Sequence, residues 1–128
     1  GGARMLRLTA RFAQEWNTWG TPEVAGGVIK KLREACEKEG RDPSTVRTSV
    51  QPLFFLTPTE DAAEKLKAHV PADRAVVGTT SQIVDAVAEY KALGFDEICV
   101  PDFTLGNSPS ERLDSYATFW NEVAVHFR

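Results

Sequence analysis

Helix-start signatures recur along this chain, and most of them follow a short run of strand-forming residues. Thr21-Pro22-Glu23 supplies a hydroxyl N-cap, a proline at the first helical position and an acid in the first turn. Ser108-Pro109-Ser110-Glu111 repeats that pattern, with the acid at the third helical position. Thr79 and Gln82 have capping-box spacing, and residues 57–61 open a further helix. Between these starts, residues 16–19 and 46–56 read as strands, and residues 96–100 as a short apolar one. A helix over residues 5–13, with Leu6, Ala10 and Ala13 on one face, precedes the first strand. Gly40 and Gly94 stop the second and fourth helices. Residues 70–77 are expected to be irregular, and the last helix is expected to reach the C-terminus through Tyr116, Phe119, Val123 and Phe127.

Strands alternating with helices imply right-handed βαβ units and a parallel sheet. The fold class is therefore α/β, in one domain over residues 1–128. A complete (β/α)8 barrel uses roughly 250 residues, about 31 per unit. The 128 residues present hold about four such units, half of a TIM-type barrel with parallel strands. The chain opens on Gly1-Gly2-Ala3 and a helix, which reads as a cut made just after a strand. Pro52 cannot donate to a ladder, so a bulge or an edge is expected there. Gly26-Gly27, inside the second helix, costs roughly 1 kcal/mol per glycine against alanine, which close packing against another element would explain.

Charge narrows the partners. Lys and Arg number 15 against 18 Asp and Glu, a net charge of −3, so no electrostatic footprint for nucleic acid is present. No apolar run approaches a membrane span, and no signal peptide is expected from the opening residues. Two cysteines far apart, Cys36 and Cys99, make no disulfide framework and fit a reducing cytoplasm. His69 and His126 fall on helices without close ligand partners, so no metal site is expected.

Three places could carry chemistry. Gly1-Gly2-Ala3-Arg4 puts glycines and a forked donor before a helix, where backbone amides can converge on an anion; the alternative is an ordinary flexible terminus. Trp16 and Asn17 could stack on and hydrogen-bond a planar ligand at a strand end; the alternative is core packing of the tryptophan. Asp102, after the last strand, could orient substrate; the alternative is a turn aspartate that caps local backbone.

The stretch from Gly1-Gly2-Ala3-Arg4 through Ala13, Trp16-Asn17 and Gly20-Thr21-Pro22-Glu23 resembles the second half of luciferase-like monooxygenases, above all their deazaflavin-dependent branch. The turn Gly40-Arg41-Asp42-Pro43, the segment from Val77-Gly78-Thr79 to Gly94-Phe95-Asp96-Glu97, and Val100-Pro101-Asp102-Phe103 extend the resemblance in order. It implies a (β/α)8 barrel that binds FMN or a deazaflavin coenzyme at the carboxyl ends of its strands. Gly1, Gly2, Ala3 and Arg4 would then approach the cofactor phosphate, with Trp16 and Asn17 beside the cofactor and Asp102 on the side of a small-molecule substrate. Trp16-Asn17 would be strand six, residues 49–56 strand seven and residues 98–100 strand eight.

Two departures qualify that picture. Gln14 stands where the family usually has an aspartate. Strands one to four, which in the family carry most catalytic side chains, have no counterpart here, so no catalytic residue is assigned. The resemblance implies part of an oxidoreductase that is inactive alone; a stand-alone anion- or cofactor-binding module is the other reading. A half-barrel would also expose two sheet edges and an apolar interior face, which predicts a homodimer or higher oligomer.

Overall fold

The computed structural model describes residues 2–128; Gly1 lies outside the described residues. In chain order the elements are α1 (Ala3–Phe12), β1 (Glu15–Trp19), α2 (Pro22–Lys38), β2 (Arg47–Gln51), β3 (Leu53–Leu56), α3 (Glu60–Lys67), β4 (Ala75–Gly78), α4 (Thr80–Ala92), β5 (Glu97–Ile98) and α5 (Pro109–Thr118). All strand pairs are parallel, in the orders β1-β2-β5 and β3-β4. The expected helix starts are present. Thr21, Thr59 and Ser108 each accept an amide from the first turn, and Thr79 and Gln82 complete the capping box reciprocally.

Pro52 organises the sheet. Instead of one strand over residues 46–56, the chain makes β2 and β3 on either side of this buried proline. Trp19 pairs with Gln51 and Ala75 pairs with Leu53, so β1 and β4 lie end to end on one flank. The Thr21 N–H donates to the Asp73 carbonyl at 3.0 Å where one strand leaves and the other enters. On the other flank the Cys99 N–H donates to the Val50 carbonyl at 2.9 Å. The next rung would need an amide proton from Pro52, which has none, so β5 is only two residues long.

Two further expectations are corrected. Residues 75–78, read as irregular, form β4; the strand is held by its pairing to β3 and shows no local alternation of its own. The last α-helix ends at Thr118, and the chain continues as a π turn over Phe119–Val123 and a 3-10 turn over Ala124–His126.

The main core packs Ile29, Val50, Phe54, Ile83, Tyr90 and Val123 between the sheet and α2, α4 and the last turns. A smaller cluster of Leu6, Ala10, Leu32, Cys36 and Val46 joins α1 to α2. Gly26 is explained: a Cβ there would stand 3.1 Å from Leu93 Cδ2, so the glycine lets α2 approach α4. No neighbour accounts for Gly27.

Tyr90 ties the core to the turn after β1. Its buried hydroxyl donates to the Gly20 carbonyl at 2.6 Å. Burial, with a smaller contribution from Glu89, pushes this phenol far above its ordinary range. The unfolded chain ionises Tyr90 above about pH 10, whereas the folded chain keeps it neutral. Stability contributed by Tyr90 is therefore present below that pH and lost as pH rises past it. Tyr90→Phe should cost about 1–3 kcal/mol at neutral pH, by orphaning the Gly20 carbonyl. It should also flatten the fall of the urea midpoint between about pH 9 and 11. An unchanged alkaline slope in the variant would assign that fall to other groups.

Candidate functional site at the carboxyl rim

Parallel strands place all their carboxyl ends at one rim. Only Ala13 and Gln14 separate α1 from β1, so α1 ends at the amino rim and its first turn points to the carboxyl rim. Gly2 is the N-cap residue, with φ −72° and ψ 169°. That is ordinary extended backbone, and a Cβ at Gly2 would meet nothing within 4 Å. The fold itself therefore does not demand glycine at this position. The first intrahelical bond runs from the Leu6 N–H to the Gly2 carbonyl at 3.1 Å. The amides of Ala3, Arg4 and Met5 precede it, no side chain caps them, and the first turn carries no acid. This end differs from α2, α3, α4 and α5, each capped by a threonine or serine. Beside it runs a groove of about 520 Å³ between α1 and α2, lined by Gly2, Ala3, Arg7, Lys31, Glu34 and Lys38 among others.

Trp16 and Asn17 occupy opposite faces of β1, because side chains alternate along a strand. Trp16 packs toward the helices, against both core clusters. Asn17 points to the uncovered face, where its Nδ2 donates to Ser49 Oγ at 2.8 Å. The two do not form one ligand-stacking pair, since the indole is committed to packing. Asp102 lies exposed after β5, and its main-chain carbonyl accepts from the Leu105 N–H at 2.9 Å in a tight turn. Among the described residues, no hydrogen bond or ion pair joins Asp102 to the first turn of α1. Cys36 is buried among apolar neighbours, which push its thiol pKa up and leave it unreactive.

The uncovered face holds residues that sequence reasoning passed over. Arg47 lies between two carboxylates from the neighbouring strands, Glu97 at 2.7 Å and Glu15 at 4.0 Å. With Asn17 and Ser49 it makes the lower part of this face polar, in contrast to the apolar interior expected. The signal was present: Arg47-Thr48-Ser49-Val50-Gln51 alternates polar and buried positions at strand period. Thr48 faces the core, where Asp96 Oδ2 accepts its N–H at 2.8 Å and pins β2 to the start of β5.

A family model described as luciferase-like monooxygenase matches residues 1–72. The chain belongs to the luciferase-like monooxygenase family. Solved structures share the fold. A coenzyme F420 dependent tetrahydromethanopterin reductase from Methanopyrus kandleri superposes with a TM-score of 0.73 at 14% identity, over 99% of this chain and 49% of that one. A long-chain alkane monooxygenase gives 0.67 at 17% identity, over 98% and 38%. The oxygenating constituent of 3,6-diketocamphane monooxygenase from Pseudomonas putida, solved with FMN, gives 0.58 at 16%, over 94% and 44%. This luciferase-like chain thus spans about half the length, or less, of the structures it resembles. No curated protein matches it. Among the described residues, no helix is long and apolar enough to cross a membrane.

Proposed function

We propose that this chain is the cofactor-phosphate side of a luciferase-like (β/α)8 barrel. In that reading it binds FMN or a deazaflavin coenzyme at the first turn of α1 and is catalytically silent without the other half of the barrel. The observation that carries it is the amino terminus of α1: three amides without side-chain caps, no acid, and a glycine that the fold does not require. A side chain at residue 2 would obstruct nothing in the protein but would stand beside those amides. Ala3, Arg4 and Gly2 would hold the phosphate, through amides and the Arg4 guanidinium. A bound flavin or deazaflavin supplies hydride exchange with a small organic substrate. Asn17 would contribute a polar contact from the uncovered face, and Asp102 would stand on the substrate side of the rim.

The helix end is worth about 0.3–1 kcal/mol and a charge-assisted bond from Arg4 about 1.5–3 kcal/mol before screening. Their sum supports binding no tighter than about millimolar. Titration with inorganic phosphate and then FMN should therefore move the Ala3 to Leu6 amide resonances at millimolar ligand. Thr79 and Gln82 amides should stay still, because the capping box already engages them. The reverse pattern would move the anion site to α4. Turnover of reduced FMN or deazaflavin by the chain alone would overturn the view that it is silent.

A further inference from the structure

Between α4, β5 and the last turns of the chain lies a cavity of about 360 Å³. None of the residues assigned above to the cofactor or its substrate lines it. Its lining includes Val123, which is fully buried, and Val87 and Phe95, each 8% exposed, so the space reaches the main core and is no flat surface patch. Ile98, Val100 and Phe119 continue the apolar lining. The volume falls within the roughly 300–1,000 Å³ of small-molecule sites. One side is shaped by the π turn over Phe119–Val123. That wider turn carries an extra residue, which rotates the side chains after it by about 100° relative to a continued α-helix. Single π turns of this kind are rare and recur at functional sites.

Four charged residues also line the cavity, and their partners differ. Asp96 Oδ2 accepts the Thr48 N–H at 2.8 Å, and Glu97 Oε2 lies 2.7 Å from Arg47, so both carboxylates are engaged. Lys91 and Arg128 are exposed, and among the described residues neither forms an ion pair. Each stands over a ring instead, Lys91 at 6.0 Å from the Phe127 centroid and Arg128 at 4.4 Å from that of Trp120. We propose that this cavity binds a small amphiphilic carboxylate, with its apolar body among Val87, Ile98, Val100 and Val123 and its carboxylate at Lys91 and Arg128. The apolar lining takes the body out of water, and the head supplies the anion that the two cations lack. An amine of the same length would find both nearby carboxylates already committed.

Decanoate is the probe, with decanol and decylammonium as controls of the same length. In an NMR titration, decanoate should give saturable shifts of the Val87, Ile98, Val100 and Val123 methyls. It should bind about tenfold more tightly than decanol, and decylammonium no more tightly than decanol. Added salt should weaken decanoate and leave decanol unchanged, since the cations at the mouth are exposed. The variant Lys91→Met, Arg128→Met keeps both apolar stems and changes only exposed positions, so the fold is left in place. It should bring decanoate down to the affinity of decanol without changing decanol itself. Saturable shifts confined to other methyls would overturn the proposal. Equal binding of decanoate and decylammonium would overturn it too, as would a double variant that holds decanoate as tightly as the wild-type chain. Sedimentation velocity on the same samples tests a different occupant: self-association that decanoate dissociates would give the cavity to a second copy of the chain and end the proposal.

Discussion

Phe54→Ala is expected to lower the free energy of unfolding by about 3–5 kcal/mol. The ring is fully buried in β3 and meets Phe119 edge-on at a centroid distance of 5.2 Å. Its backbone carbonyl accepts the Thr104 hydroxyl at 2.7 Å, so the residue also fixes the loop that follows β5. Three separate pieces of chain meet at this residue, two of them, β3 and the turn with Phe119, through the ring itself. Truncation removes the transfer free energy of the ring and leaves a cavity that the paired strands cannot collapse to fill. Domains of this size have total stabilities of about 5–15 kcal/mol, so much of the margin would be lost. Urea unfolding should show a lower midpoint with an unchanged slope. A loss under about 1 kcal/mol would mean that Phe119 and its neighbours repack freely, against the close fit described.

Gly20→Ala is the second large effect, and it has an internal control. Gly20 sits at φ +124°, a conformation that L side chains rarely adopt. A Cβ there would stand 2.8 Å from Val24 Cγ1 and 3.4 Å from the Ala25 backbone nitrogen. Backbone strain alone costs about 1–3 kcal/mol, and the overpacking adds about as much. The change would also displace the carbonyl that accepts the Tyr90 hydroxyl. Gly27→Ala should do the opposite. Gly27 lies inside α2 with ordinary helical backbone and open space where its Cβ would go, so alanine should stabilise by up to about 1 kcal/mol. Thermal or urea unfolding of the two variants side by side checks both signs. Equal effects at the two glycines would remove the distinction drawn between them.

What could be read from the sequence divides by the range of the interaction involved. Caps are local, so Thr21, Thr79 with Gln82, and Ser108 announced their helices correctly. The awkwardness of Pro52 was legible for the same reason, although its consequence was larger than a bulge. It ends the pairing with β5 after two residues, because the flank that needs its missing amide belongs to β5. β4 was not legible. Its four residues have no alternation of their own, and only β3 makes them a strand.

The candidate site divides in the same way. The glycine-rich opening and Arg4 stood out as a local anion motif, and the family resemblance rested on short ordered segments. Trp16 and Asn17 looked like a pair because they are adjacent in sequence. In three dimensions the strand sends one to the helices and the other to the open face. The Glu15, Arg47 and Glu97 group joins three strands far apart in the chain, so no local pattern could assemble it.

The sequence by itself determined the alternating α/β order, the helix starts and the family, because each depends on residues close together in the chain. Tertiary structure alone decided the parallel register, the end-to-end meeting of β1 and β4, and the polarity of the uncovered face. The physical reason is that a strand's partners and the direction of its side chains are fixed by neighbours distant in sequence. Period-two alternation names two faces of a strand but does not say which one the core will take.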